Sequence, residues 1–185
     1  ASVTVLGSPN TGAPMADLLN TSLPPGSASR TILAGFVNAL SGFLGGLSGN
    51  TDPQNALGAL ASLSTPGSTA FNSRHPQGKP TSSCGNGPEV VNGIRYYSMG
   101  GTSVLTNVFD VSDPLMGAGS LVFGFQQNDG LVGRCSSHWG TVLRDDYSWN
   151  HLDEVNQFLG LRGLFSSSPS SVLRAQANRL KTLGL

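Results

Sequence analysis

The sequence predicts a single domain that mixes strands and helices, and three stretches carry that expectation. Residues 1–9 open on an apolar run with Val3, Val5 and Leu6 and stop at Gly7-Ser8-Pro9, the pattern of a buried strand. Residues 28–47 put Ile32, Leu33, Phe36, Val37, Leu40, Phe43, Leu44 and Leu47 on one stripe at the helical period. Residues 94–99 (IRYYSM) alternate before Gly100-Gly101, which reads as a second strand. A chain of 185 residues is long enough for one such domain and short of two.

The remaining elements follow in chain order. A short helical turn is expected at 17–20, then a loop at 21–27 containing Pro24-Pro25-Gly26. The polar face of the 28–47 helix carries Ser29, Arg30, Asn38 and Ser41. Its Gly35, Gly42, Gly45 and Gly46 each cost about 1 kcal/mol relative to Ala. Such a helix is either packed core or a mobile cover over an apolar cleft, and the periodicity alone favours core. Asp52-Pro53 caps a further helix with Ala56, Leu57, Leu60 and Leu63 on one face. Residues 64–92, with Pro66, Pro76, Pro80 and Pro88, read as irregular, and 121–125 and 141–143 as further strands. Ser168-Pro169 opens a last helix at 170–183, whose Arg174, Arg179 and Lys181 lean toward the end that the helix dipole makes negative. A chain that begins inside a buried strand is expected to continue from preceding sequence.

Ten acidic and ten basic residues leave a formal net charge of zero. That balance argues against a nucleic-acid binder, which needs a basic face to neutralise phosphates, and against a polybasic membrane-surface protein. The 25 glycines and 11 prolines show no Gly-X-Y period, so a collagen is excluded as well. No apolar run reaches the roughly 18 residues of a membrane span. Low charge with abundant Ser, Gly, Asn and Thr suits a secreted protein. Cys84 and Cys135 lie in polar, Gly- and Ser-rich surroundings, so they are either one disulfide or two free thiols. A zinc site on Cys135 and His138 has no second ligand pair at the right spacing.

The three histidines are His75, His138 and His151. His151 follows Trp149-Asn150 at a loop-to-helix junction, and Asp129 sits in the turn Asn128-Asp129-Gly130 upstream. An acid in a turn and a histidine in a loop suit an Asp–His pair, in which the acid fixes the imidazole tautomer and stabilises the imidazolium. Asp-Gly is also an ordinary turn dipeptide, and a loop histidine is more often merely solvated.

QNDGLVGRCSS and WNHLDEVNQFLGLRG, with LGSPNTG, HPQGKPTSSCG, YYSMGG and the terminal ANRLK, closely resemble secreted bacterial triacylglycerol lipases of the Pseudomonas/Burkholderia type. The resemblance runs through the whole chain. It implies an α/β-hydrolase fold with a Ser–Asp–His triad in that chain order, in which Asp129 is the acid and His151 the general base. It implies a Cys84–Cys135 disulfide. It also implies a lid at 28–49, whose apolar stripe covers an acyl-binding cleft, which shifts the reading of that helix from core to lid. Asn10 stands where many members have His.

The departure that matters is that residues 1–185 contain no G-x-S-x-G nucleophile elbow. The chain therefore reads as the C-terminal part of one hydrolase domain, completed by an N-terminal segment that carries the serine. The resemblance further implies a structural calcium held by Asp110 and Asp153 with the carbonyls of Gln157 and Leu161, Asp113 being the alternative to Asp110. It implies a dedicated folding chaperone, bacterial secretion, and a long-chain acylglycerol substrate at a lipid–water interface. The rival readings are a short-chain esterase on the same fold and a non-catalytic binding domain stabilised by calcium and a disulfide.

Overall fold

The structure, a computed structural model, describes residues 1–21, 56–157 and 160–185. The stretch 28–49 expected to form a lid, and the Asp52-Pro53 cap, lie outside the described residues.

Three strands run parallel. β1 (Ser2–Leu6) pairs with β3 (Ile94–Gly101) in the register Ser2 to Arg95 through Leu6 to Met99. β4 (Thr141–Tyr147) pairs with β3 on its other side, with irregularities between Ser98 and Gly101. The two-residue β2 (Val90–Val91) adds antiparallel to the start of β3. The central strand is buried from Tyr96 onward, as expected of a parallel strand covered on both faces. β1 is less buried than the sequence implies, since Val3 is 41% exposed. Among the described residues β1 pairs with β3 alone.

Among the described residues five helices accompany the sheet. α1 (Pro14–Thr21) and α2 (Ala56–Leu63) occupy the places the sequence indicates. α3 (Thr65–Arg74) corrects the irregular reading of 64–92. Ser64 caps it by accepting from the Gly67 amide, and Pro66 sits in its first turn. Its buried residues are Ser68 and Asn72, so there is no apolar stripe to betray it. α4 (Asp113–Ser120) is likewise hidden in the sequence by its glycines. Residues 121–125 are a second correction: Leu121–Phe123 is a short 3-10 turn ending at Gly124, φ 58°, with Leu121 80% exposed and, among the described residues, no strand paired with it. α5 (Pro169–Thr182) ends the chain much as expected and donates from the Gln176 amide to Thr4 of β1.

Candidate active site

Asp129 is held by the turn that carries it. The Asn128 side chain accepts from the Gly130 amide, and Asp129 Oδ1 accepts from the amides of Leu131 and Val132 at 2.9 and 2.7 Å. Gly130 is required here: φ is +101°, and a Cβ would come 2.7 Å from that of Met116. Leu131 and Val132 join Met116 and Leu152 in a small core under the turn. Oδ1 is thus occupied and Oδ2 is left to point elsewhere.

Oδ2 meets Nδ1 of His151 at 2.8 Å. The carboxylate can only accept, so Nδ1 carries the proton and Nε2 is the free nitrogen. Among the described residues no group is hydrogen-bonded to Nε2. The His151 side chain is 28% exposed while that of Asp129 is 2% exposed, so the ring opens to solvent and its partner does not. His151 follows β4 through the loop 148–152, where its amide donates to the Asp129 carbonyl at 2.9 Å.

The other histidines are arranged differently. His138 also faces a carboxylate, with Nε2 2.8 Å from Asp145, but its Nδ1 faces the Gly85 carbonyl at 3.1 Å and its side chain is 5% exposed. Both nitrogens are engaged, so it has none to offer a substrate. Arg134 grips Asp145 from a second side, beside the Cys84–Cys135 disulfide that the structure contains. His75 is exposed at the end of α3 against Phe71.

Glu154 joins the site, although sequence reasoning missed it. Its position three residues after His151, on one face of a helical turn, was the available signal. Its side chain is 1% exposed; Oε1 accepts from the Gly101 amide at 2.6 Å and Oε2 lies 3.8 Å from His151 Nδ1. Burial and the Asp129 charge push its carboxyl up to about 8. Burial works to lower the pKa of His151, but the charge and hydrogen bond of Asp129, with the Glu154 charge, outweigh it and raise it to about 9. Ligand atoms of Asp129, His151 and Glu154 lie within 4.8 Å of one another, so the three could hold a metal ion.

The carboxylates expected at a calcium site lie next to this cluster. Asp153 is buried, and its Oδ1 has no hydrogen-bond partner. Burial first, then the charges of Asp110 and Asp113, push it up to about 6. Asp110 Oδ1 accepts from the amide and hydroxyl of Ser112. Asp113 is used on both oxygens, accepting from the amides of Thr106 and Asn107, the Thr106 hydroxyl and the Asn150 amide group. The Gln157 carbonyl accepts from Gly160 at 3.2 Å, and Leu161 is half-buried just after it.

No family model matches the chain. A triacylglycerol lipase of Vibrio cholerae is 47% identical over 186 residues, which takes in all of this chain and 59% of that protein. One of Pseudarthrobacter phenanthrenivorans is 38% identical over 217 residues, again across the whole chain and 67% of its own length. This chain belongs to the bacterial triacylglycerol lipase family. It spans about three-fifths of the length of the Vibrio lipase. Its parallel sheet with flanking helices is of the α/β-hydrolase fold that membership implies. The mature lipase of Bacillus licheniformis, a crystal structure, shares 21% identity over 81% of this chain and 47% of that one, with a TM-score of 0.48. Among the described residues, no helix is long and apolar enough to cross a membrane.

Proposed function

We propose that this chain supplies the acid and the base of a serine triad that hydrolyses long-chain acylglycerols at a lipid–water interface. The observation that carries it is the buried Asp129 carboxylate 2.8 Å from Nδ1 of a His151 whose Nε2 is free. In this reading a serine on an N-terminal segment, outside residues 1–185, attacks the ester carbonyl. His151 Nε2 takes the serine proton and delivers it to the leaving alcohol. Asp129 holds the tautomer with the proton on Nδ1 and stabilises the imidazolium. The absence of a G-x-S-x-G from the sequence and the greater length of the relatives support a nucleophile outside it.

A metal at Asp129, His151 and Glu154 fits less well. Ligation through Nδ1 needs a lone pair where the Asp129 contact needs a proton, and ligation through Nε2 would leave that nitrogen no longer free. Calcium prefers oxygen ligands and suits the neighbouring group better. Asp153, with one buried oxygen unpartnered and two acidic neighbours, fits a cation. Asp110 would hold it with Asp153, together with the carbonyls of Gln157 and Leu161. Asp113 has no oxygen left to give. The ion would neutralise these carboxylates and fix the loop that follows His151. Secretion, and a dedicated folding chaperone, belong to the same reading; a disulfide suits an oxidising compartment.

The test is hydrolysis of emulsified long-chain triacylglycerol against soluble short esters by the full-length enzyme. The emulsion should be preferred, and Phe36→Asp, which puts a charge on the stripe at 28–47, should lower that activity far more than activity on soluble esters. Equal losses on both would make 28–47 an ordinary core helix, and a preference for soluble esters would favour a short-chain esterase.

A further inference from the structure

We propose that Asp113 is a positioning residue for His151, acting through Asn150, and that this brace is independent of any bound cation. The inference rests on His151 being the base. Asn150 is fully buried immediately before the histidine. Its side-chain oxygen accepts from the amides of Leu152 and Asp153, both at 2.8 Å, so it closes a turn with His151 inside it. An asparagine amide can rotate about its last bond, and a turn of this kind is only as rigid as the group that fixes the amide plane. That group is Asp113, which accepts from Asn150 Nδ2 at 2.9 Å across 37 residues of chain. Asp113 is itself immobilised: its other oxygen accepts from the amides of Thr106 and Asn107 at 2.7 and 2.8 Å. One buried carboxylate therefore ties together the loop after β3, the start of α4 and the turn that carries the histidine.

The donors and acceptors are arranged so that the pair can be broken and remade. In Asp113→Asn the new amide oxygen can still serve Thr106 and Asn107, but the amide nitrogen then faces Asn150 Nδ2, donor against donor. In Asn150→Asp the new carboxylate can still accept from Leu152 and Asp153, but its second oxygen faces Asp113, acceptor against acceptor. In the double variant the amide placed at position 113 donates to the carboxylate placed at position 150, and the two backbone turns keep their acceptors. The local charge is also unchanged by the exchange.

The experiment uses the full-length enzyme with its active sites counted by a serine-directed phosphonate. Each single variant should lower kcat on a soluble ester by about 10- to 100-fold, as a displacement of about 1 Å would. KM should stay within about twofold, because the brace touches no substrate. The low-field proton resonance of the His151–Asp129 hydrogen bond should shift or broaden in the single variants. The double variant should regain at least about tenfold in kcat over either single, the sign of direct coupling. Chelator should lower the melting temperature of Asp113→Asn as much as that of the parent. If Asp113→Asn fails to fold, Asn150→Asp and the double variant supply the same comparison. Single variants with parental kcat and an unmoved resonance, or losses that simply add in the double variant, would overturn the brace. Should His151→Ala keep its activity, the triad reading falls; an inactive His151→Ala beside a fully active Asp113→Asn would remove the brace alone.

Discussion

His151 and Asp129 are joined twice, by the 2.8 Å contact of Nδ1 with the buried carboxylate and by the 2.9 Å bond from the His151 amide to the Asp129 carbonyl. The second bond fixes the backbone of the loop on the turn that carries the acid. The ring then has little choice of direction, and the nitrogen it leaves free is the one a serine would need.

The pH dependence of activity follows from the charges around that ring. A base must be neutral, and His151 is raised from 6.5 to about 9. Activity should therefore rise with pH along a limb centred well above 6.5. Glu154→Gln removes a carboxyl whose charge, once it ionises near pH 8, favours the imidazolium, so the limb should move to lower pH. The same shift links to stability: the protonated ring favours the folded state, fully below about pH 6.5, and this contribution is lost as pH rises through about 9. kcat/KM against pH on a soluble ester, for parent and Glu154→Gln, checks both directions; a limb that stays put or moves upward would contradict the assignment.

Calcium should stabilise the histidine loop through Asp153. Removing it with chelator should lower the melting temperature and the activity together, and adding it back should restore both. Asp110→Asn should abolish the response of the melting temperature to chelator. Asp113→Asn should retain it. Scanning calorimetry with and without chelator reads this directly, and a parent enzyme indifferent to chelator would remove the calcium site.

Gly7 is where β1 meets the buried carboxylate. At φ +54° it sits in the left-handed region, and a Cβ there would come 1.5 Å from Glu154 Oε2. Gly7→Ala should cost about 2–4 kcal/mol, from backbone strain and a displaced carboxylate together. Denaturant unfolding of the full-length enzyme measures it; unchanged stability would mean that Glu154 is not seated under this turn.

Much of this arrangement was legible because its parts are local. The strand at 94–101 announces itself by alternation, and Asp129 and His151 lie in motif segments long enough to carry the family resemblance. α3 was not legible, because its buried face is Ser68 and Asn72, and a helix held by polar contacts has no apolar period. Leu121 and Phe123 read as a strand because apolar composition does not tell a 3-10 turn from a strand when no partner is known. The roles of Glu154, Asn150 and Asp113 depend on contacts across 37 to 53 residues, which no spacing rule reaches. The choice between Asp110 and Asp113 rested on family motif alone, and only the filled hydrogen-bond positions of Asp113 give it a physical reason.

The central claim is that His151 activates a serine lying outside residues 1–185. The direct measurement is the rate and site of covalent labelling of the full-length enzyme by a serine-directed phosphonate, for the parent and His151→Ala. The label should fall on the serine of a G-x-S-x-G outside this chain, and the rate in His151→Ala should drop at least about a thousandfold with the fold preserved. Labelling of His151→Ala at the parental rate, or a label on a residue within 1–185, would contradict the account.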